Sequence, residues 1–383
     1  MNSSYPESWE VVSLDSICRP KQWATINVGE LTEDGFPVYG ANGKIGYYSS
    51  YNHTQPTVLI TCRGASCGAI NISEPNSYVT GNAMALDDMN TSRVDLNYLA
   101  RTLARRGYLR KAITGSAQPQ ITRETLRSVS VPLPPLAEQR RIAEVLDRVD
   151  ALREKRRKSI AFLDELAQSI FVDMFGDGAT EFGDWEMRPL ASVAAAINDC
   201  PHSTPKWTDL GVVCLRTSNL AKGRWNWRET RYVAEESYVE RSKRGEIVAG
   251  DIILSREGTV GVAAISDGTR MCMGQRLVQV RSNVELVTPE YLLHYLLSVL
   301  EPEKISKYMI GSTAQHLNVK DLRALRVPLP PIALQQDFAR RISSVEGMRT
   351  DSVTHLNELD ALFASIQSRA FRGELWQDEL KDL

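Results

Sequence analysis

The sequence predicts an α+β protein: two globular α/β modules separated by a long antiparallel two-helix coiled coil, with an internal pseudo-twofold duplication. Three observations carry this reading. Residues 115–177 align without a gap onto residues 311–373 at a constant offset of 196, and about twenty of the 63 positions are identical. Each copy holds Val-Pro-Leu-Pro-Pro (131–135 and 327–331) followed by apolar residues alternately four and three apart. Ahead of each copy, short apolar runs lie between Gly, Asn, Pro and Ser clusters, the pattern of strands joined by tight loops.

In chain order, residues 1–131 form the first module. Trp9 and Leu14 stand near its start, and a strand over Thr57–Thr61 runs into the turn Arg63-Gly64. A helical pattern covers the region around Leu96–Lys111. Residues 132–179 are a helix and linker. The proline run cannot be helical itself, but proline is tolerated where a helix starts. The seam then reads Ile142, Leu146, Val149, the polar pair Arg153 and Arg156, then Ile160, Leu163, Ala167, Ile170 and Met174.

Residues 180–327 form the second module, with Trp185 and Leu190 matching Trp9 and Leu14, Asp251–Ser255 matching Thr57–Thr61, and a helical pattern over 289–308. Residues 328–383 hold the second helix. Its seam reads Phe338, Ile342, Val345, the polar pair Arg349 and Ser352, then Leu356, Leu359, Phe363, Ile366 and Ala370. Gly176 and Gly373 stand past the seams, where left-handed caps would end the helices.

Each helix of about 40 residues would be roughly 60 Å long. One apolar stripe cannot keep it folded alone, so each is the other's economical partner. An approximate twofold axis makes them antiparallel, with a module at either end. The central arginines then need carboxylates (Asp150, Glu154, Glu346, Asp351), an outside partner, or extension to solvent. The basic residues Arg153, Lys155, Arg156, Arg157 and Lys158 read as a solvated helix face or as a contact for nucleic-acid phosphates, with the solvated face favoured.

Bulk properties exclude several classes. A 43% hydrophobic, 24% charged chain of 383 residues is ordinary for a globular protein with two or three cores. The first residues lack a signal peptide's basic start and apolar stretch, and no run is long enough to span a membrane. The expected address is the cytoplasm. A net charge of −2 argues against indiscriminate nucleic-acid binding but not against local basic faces. The six cysteines form no CxxC pair and read as reduced core thiols.

No catalytic signature is present. The turn Gly40-Ala41-Asn42-Gly43-Lys44-Ile45 lacks the spacing and hydroxyl of a P-loop. The Pro-Pro pairs follow leucine, so the element that holds a flipped adenine is missing. The five histidines sit in no metal-binding frame, and no nuclease carboxylate cluster is found.

Together, the run Val-Pro-Leu-Pro-Pro-Leu-Ala-Glu-Gln-Arg-Arg-Ile-Ala at 131–143, its relative at 327–339, the segment Tyr39–Tyr47 and the two-copy layout resemble the specificity subunit of type I restriction-modification enzymes. The resemblance spans essentially the whole chain. It implies that each module is a target recognition domain reading one half of a split site in double-stranded DNA. It implies that the helices set the gap and dock two methyltransferase subunits, to which restriction and motor subunits attach. Catalysis, S-adenosylmethionine, ATP and magnesium would belong to those partners, with no cofactor or metal in this chain. The second helix begins Leu334-Gln335-Gln336-Asp337 where the first has Glu138-Gln139-Arg140-Arg141, so the two platforms are not equivalent. A competing reading is a coiled-coil scaffold with protein-binding globular ends; steep salt dependence of DNA binding separates the two.

Bases are read by paired hydrogen bonds, arginine or lysine with guanine and asparagine or glutamine with adenine. Loops rich in such residues are the candidates. In the first module these are Asn42 and Lys44, Arg63, Asn82, and Gln118 with Gln120. In the second they are Arg216, Ser218 and Asn219, Lys222 and Arg224, Arg256, Gln275 with Arg276, and Gln315 with His316. Tyr39, Tyr47, Trp225 and Trp227 could flank the DNA backbone or bases, but aromatics at β-spacing are more often core or cross-strand pairs.

Overall fold

The computed structural model describes residues 5–41, 43–176, 185–301, 309–310 and 316–376. The chain forms two compact units, one of residues 1–157 with 354–383, the other of residues 158–353. Each unit holds one module, the first half of the long helix that follows it, and the second half of the other long helix.

In the first unit, the strand Val58–Thr61 is buried at all four residues because it is covered on both faces. It lies in a four-stranded sheet ordered Arg19–Lys21, Ala83–Asp87, Val58–Thr61, Ile70–Ile72, with antiparallel neighbours. Side chains alternate across a strand. Val58 and Ile60 enter the core with Leu99 and Leu103 of the helix Leu96–Leu103, while Leu59 packs with Tyr39 and Val79 of a second, three-stranded sheet. That helix stops before Lys111: after Leu103 the chain turns through Gly107, at φ +76°.

The second unit repeats the plan. Ile252–Ser255 is the buried strand, in a sheet ordered Ala194–Asp199, Leu277–Ser282, Ile252–Ser255, Ala263–Ile265. Ile252 and Leu254 join the core beneath the helix Pro289–Val299, and Ile253 joins the opposite one. In both second sheets one edge pair is parallel, Phe36–Gly40 with Tyr78–Val79 and Val212–Leu215 with Met271–Met273. The matched leucines Leu14 and Leu190 are fully buried, and their N–H groups donate to the carbonyls of Val129 (2.9 Å) and Leu325 (2.8 Å).

Each proline run is a strand before it is a helix entry. Ser130–Leu133 pairs with Glu10–Ser13, and Arg326–Pro328 with Met187–Pro189, both antiparallel and two-stranded, where proline's missing donor is tolerated. The long helices follow at Leu136–Phe175 and Ile332–Ala370. The first ends at Gly176 (φ +88°), whose N–H reaches the carbonyl of Val172. The second continues through a turn to Gly373 (φ +69°), where a β-carbon would lie 2.2 Å from Pro6.

Within each unit the helix halves run antiparallel. In the first, Ile142 and Leu146 share a core with Ile366 and Ala370, while Arg153, eleven positions on, meets Asp360 (2.6 Å) and covers the ring of Phe363. In the second, Phe338 packs on Phe171 and Phe175, and Arg349 meets Asp164 (2.7 Å). Every seam position named from the sequence is buried or half-buried.

Two expectations change. Arg153 takes Asp150, one of the four expected carboxylates, on its own helix and Asp360 across the pair, and Arg349 takes Asp164 across the pair. Arg153 and Arg349 are therefore not solvent-extended, with side chains 18% and 20% exposed. Phe171 and Phe175, absent from the predicted seam, are buried because they face Tyr291 of the module as well as Phe338 of the other long helix.

Candidate nucleic-acid interface

Both modules gather candidate readers at the C-terminal end of the buried central strand. In the first, the Thr61 hydroxyl donates to the Ala41 carbonyl and so holds the glycine turn there. The Cys62 N–H donates to the Asn82 carbonyl (3.3 Å), and the Cys62 carbonyl accepts from Ile121 (2.9 Å). Arg63 and Gln120 form a backbone bridge, and the Gly64 N–H reaches the Pro119 carbonyl. Gly115 makes this turn possible: at φ +81°, its β-carbon would lie 2.5 Å from the Gln118 carbonyl oxygen.

The result is a rim on which Arg63, Asn82, Gln118 and Gln120 are all exposed on backbone-pinned loops. Lys44 stands exposed beyond the turn, 3.3 Å from Glu74 and over the ring of Tyr47. Its hydrogen bond to Tyr47, then that to Glu74, raises its pKa and keeps it cationic. Asn42 lies outside the described residues.

In the second module the equivalent strand ends at Ser255. Arg256 donates its N–H to the Arg276 carbonyl (3.0 Å) and accepts from Leu317 (2.8 Å), and Glu257 bridges His316. Gln275, Arg276 and His316 therefore come together, with Arg276 exposed at φ +67° and Gln275 donating to the His202 carbonyl. Gln315 lies outside the described residues.

Of the other six sequence candidates, five have buried or ion-paired side chains. Asn219 is 1% exposed; it accepts the Arg216 N–H and donates to the carbonyls of Asn226 and Glu229, so its amide closes a turn instead of facing outward. The Arg256 side chain is 9% exposed and forms an ion pair with Asp199 at 3.2 Å, beyond reach of a base edge. Lys222 and Arg224 are tied to Glu301 (2.9 Å) and Asp164 (2.7 Å). Arg216 is half-buried against Glu229 (3.0 Å), and Ser218 is exposed beside it. Of the aromatics, Tyr39 is buried, while Trp225 stacks on Trp227 (5.1 Å) and donates to the Ile265 carbonyl.

The junction between module and long helix also carries side chains whose role was not visible in the sequence. Buried Gln139 accepts the Asp95 N–H (2.8 Å) and donates to the carbonyls of Arg93 (2.8 Å) and Pro134 (2.9 Å). Buried Gln335 accepts the Thr288 N–H (2.9 Å) and donates to those of Leu286 (3.1 Å) and Pro330 (2.9 Å). The Tyr98 hydroxyl donates to the Pro132 carbonyl (2.7 Å) and that of Tyr291 to Pro328 (2.9 Å).

Three residues past these tyrosines the units differ. Arg101 binds Asp147 and Asp150 of the long helix at 2.7 and 2.8 Å. Burial raises the Asp150 pKa, but Arg101 and Arg153 outweigh it and hold the carboxyl below its ordinary value. His294 takes that place in the second unit, between the rings of Phe171 and Phe338, with a buried Nδ1 that has no partner among the described residues. It borders a cavity of about 520 Å³ lined also by Asp164, Lys222, Arg224 and Glu346. Burial, then Lys222, pushes its pKa down to about 4. Among the described residues, no group of three or more His, Cys, Asp and Glu is placed to hold a metal ion, and no helix is long and apolar enough to cross a membrane.

A family model, the type I restriction modification DNA specificity domain, matches residues 6–161 and again 183–359. The type I restriction enzyme MjaVIII specificity subunit of Methanocaldococcus jannaschii is 22% identical over 372 residues, 90% of this chain and 87% of that protein. The MjaIX specificity subunit of the same organism is 35% identical over 303 residues, 74% of this chain and 69% of that one. Among solved structures, the S subunit of a type I restriction-modification system from M. genitalium superposes with a TM-score of 0.64 at 14% identity, covering 97% of this chain and 98% of that one, which shows a shared fold. One family model matched twice, once per copy of the duplication, and relatives matched over most of their length lead to one conclusion: the chain belongs to the family of type I restriction-modification DNA specificity subunits.

Proposed function

We propose that this chain reads a two-part DNA site, with the module of residues 1–131 reading one half and that of residues 180–327 the other. The observation that carries the proposal is the repeated placement of arginine, glutamine, asparagine and histidine side chains at one strand end of each module. The two rims differ in residues, as two different half-sites require. The long helices set the spacer and dock two methyltransferase subunits, with restriction and motor subunits attached in turn. The chain itself is non-catalytic: S-adenosylmethionine, ATP and magnesium act in those partners. The work is done in the cytoplasm.

Mapping methylated bases across the genome of the source cell, with and without this gene, tests the proposal. The expected result is loss of methylation at one split motif. An unchanged methylation map would overturn it.

A further inference from the structure

The cores joining each module to its long helix are mostly apolar, and the hydrophobic force is non-directional: the angle it leaves is narrowed by side-chain packing and fixed further by any directional bonds that accompany it. Hydrogen bonds are directional. At this junction the same directional set occurs twice. A fully buried glutamine in the first turn of the long helix takes one N–H and two carbonyls, two of the three from the segment that caps the module's own helix. A fully buried tyrosine in that module helix closes the ring onto the proline run. Asp95 and Thr288, whose N–H groups the glutamines accept, are the capping residues of those module helices.

We infer that Gln139 and Gln335, with Tyr98 and Tyr291, are positioning residues that fix the angle of each module on its helix and so set the spacer length the protein accepts. The inference rests on the proposed reading of a two-part site. One extra base pair between half-sites moves the second by about 3.4 Å and rotates it by roughly 35° about the DNA axis. A module free to swing on its helix follows that rotation; a module pinned at its helix cap does not. Glutamine suits the position because its amide supplies one acceptor and two donors, where glutamate offers acceptors only.

The test uses the complex of the full chain with its methyltransferase, and duplexes carrying both half-sites with the spacer changed by one or two base pairs. Gln139→Leu and Gln335→Leu should lower the preference for the best spacer over its one-base-pair neighbours by about tenfold, as expected for loss of one buried directional tie. The bases required in each half-site should stay the same. Tyr98→Phe and Tyr291→Phe, which remove only a hydroxyl, should shift the preference in the same direction even if the glutamine variants do not fold. Leu59→Ala weakens the first module's other core, on the sheet face away from the junction, and should leave the preference intact. Folded junction variants that keep the wild-type preference, or a Leu59→Ala variant that broadens it equally, overturn the inference. A wild-type complex that modifies no two-part site overturns the functional reading and the inference with it.

Discussion

His294 shows how one substitution between copies changes the chemistry of a place. Its ring is 9% exposed between phenylalanines, so the neutral form is favoured and the pKa falls from 6.5 to about 4. Above pH 6.5 folded and unfolded chains are both neutral at this site, and its full stability is present. As pH falls from 6.5 through 4 the unfolded chain takes up a proton that the folded one refuses, and up to about 3 kcal/mol is lost. Denaturant unfolding of wild type and His294→Phe at pH 7 and 5 should show the variant losing less; equal losses would contradict this. Asp150 acts lower, in the carboxylate range, because its pKa is depressed: its contribution is lost only on further acidification. None of this was legible in the sequence, where His294 is one histidine in no motif. The same holds for Gln139 and Gln335, identical across the repeat yet indistinguishable from surface glutamines until backbone more than 40 residues away reaches them. Asn219 erred the other way: a polar residue in a loop reads as exposed, but turn closure buries its amide.

At the scale of elements, periodicity was the readable signal. The seams of both long helices were legible because a four-three spacing admits one buried face. The ion pairs across them were not, because the acid partner is chosen by pairing register. Arg153 with Asp360 and Arg349 with Asp164 are the same two aligned positions in exchanged roles, as an antiparallel pair of copies requires. Asp360→Asn should cost about 1 kcal/mol, since the pair is partly exposed. A double-mutant cycle with Arg153→Met should return a favourable coupling; zero coupling would mean the contact is geometric only. In the modules, the central strands were readable as matched apolar runs. The second sheets were not, because their strands are as short as two residues and pair across loops of unlike length.

At the scale of the molecule, the duplication accounts for the two modules, the two junctions and the half of each long helix found in each unit. What diverges is the rim of each module and the residue after each junction, Arg101 or His294. A repeated scaffold whose rims carry different side chains suits the recognition of two different half-sites by one architecture. The central claim is that the modules read independently. Its most direct test replaces residues 1–131 with the corresponding module of another family member and maps the bases methylated by the resulting complex. The account predicts a site changed in one half and unchanged in the other. A site changed in both halves, or in neither, would contradict it.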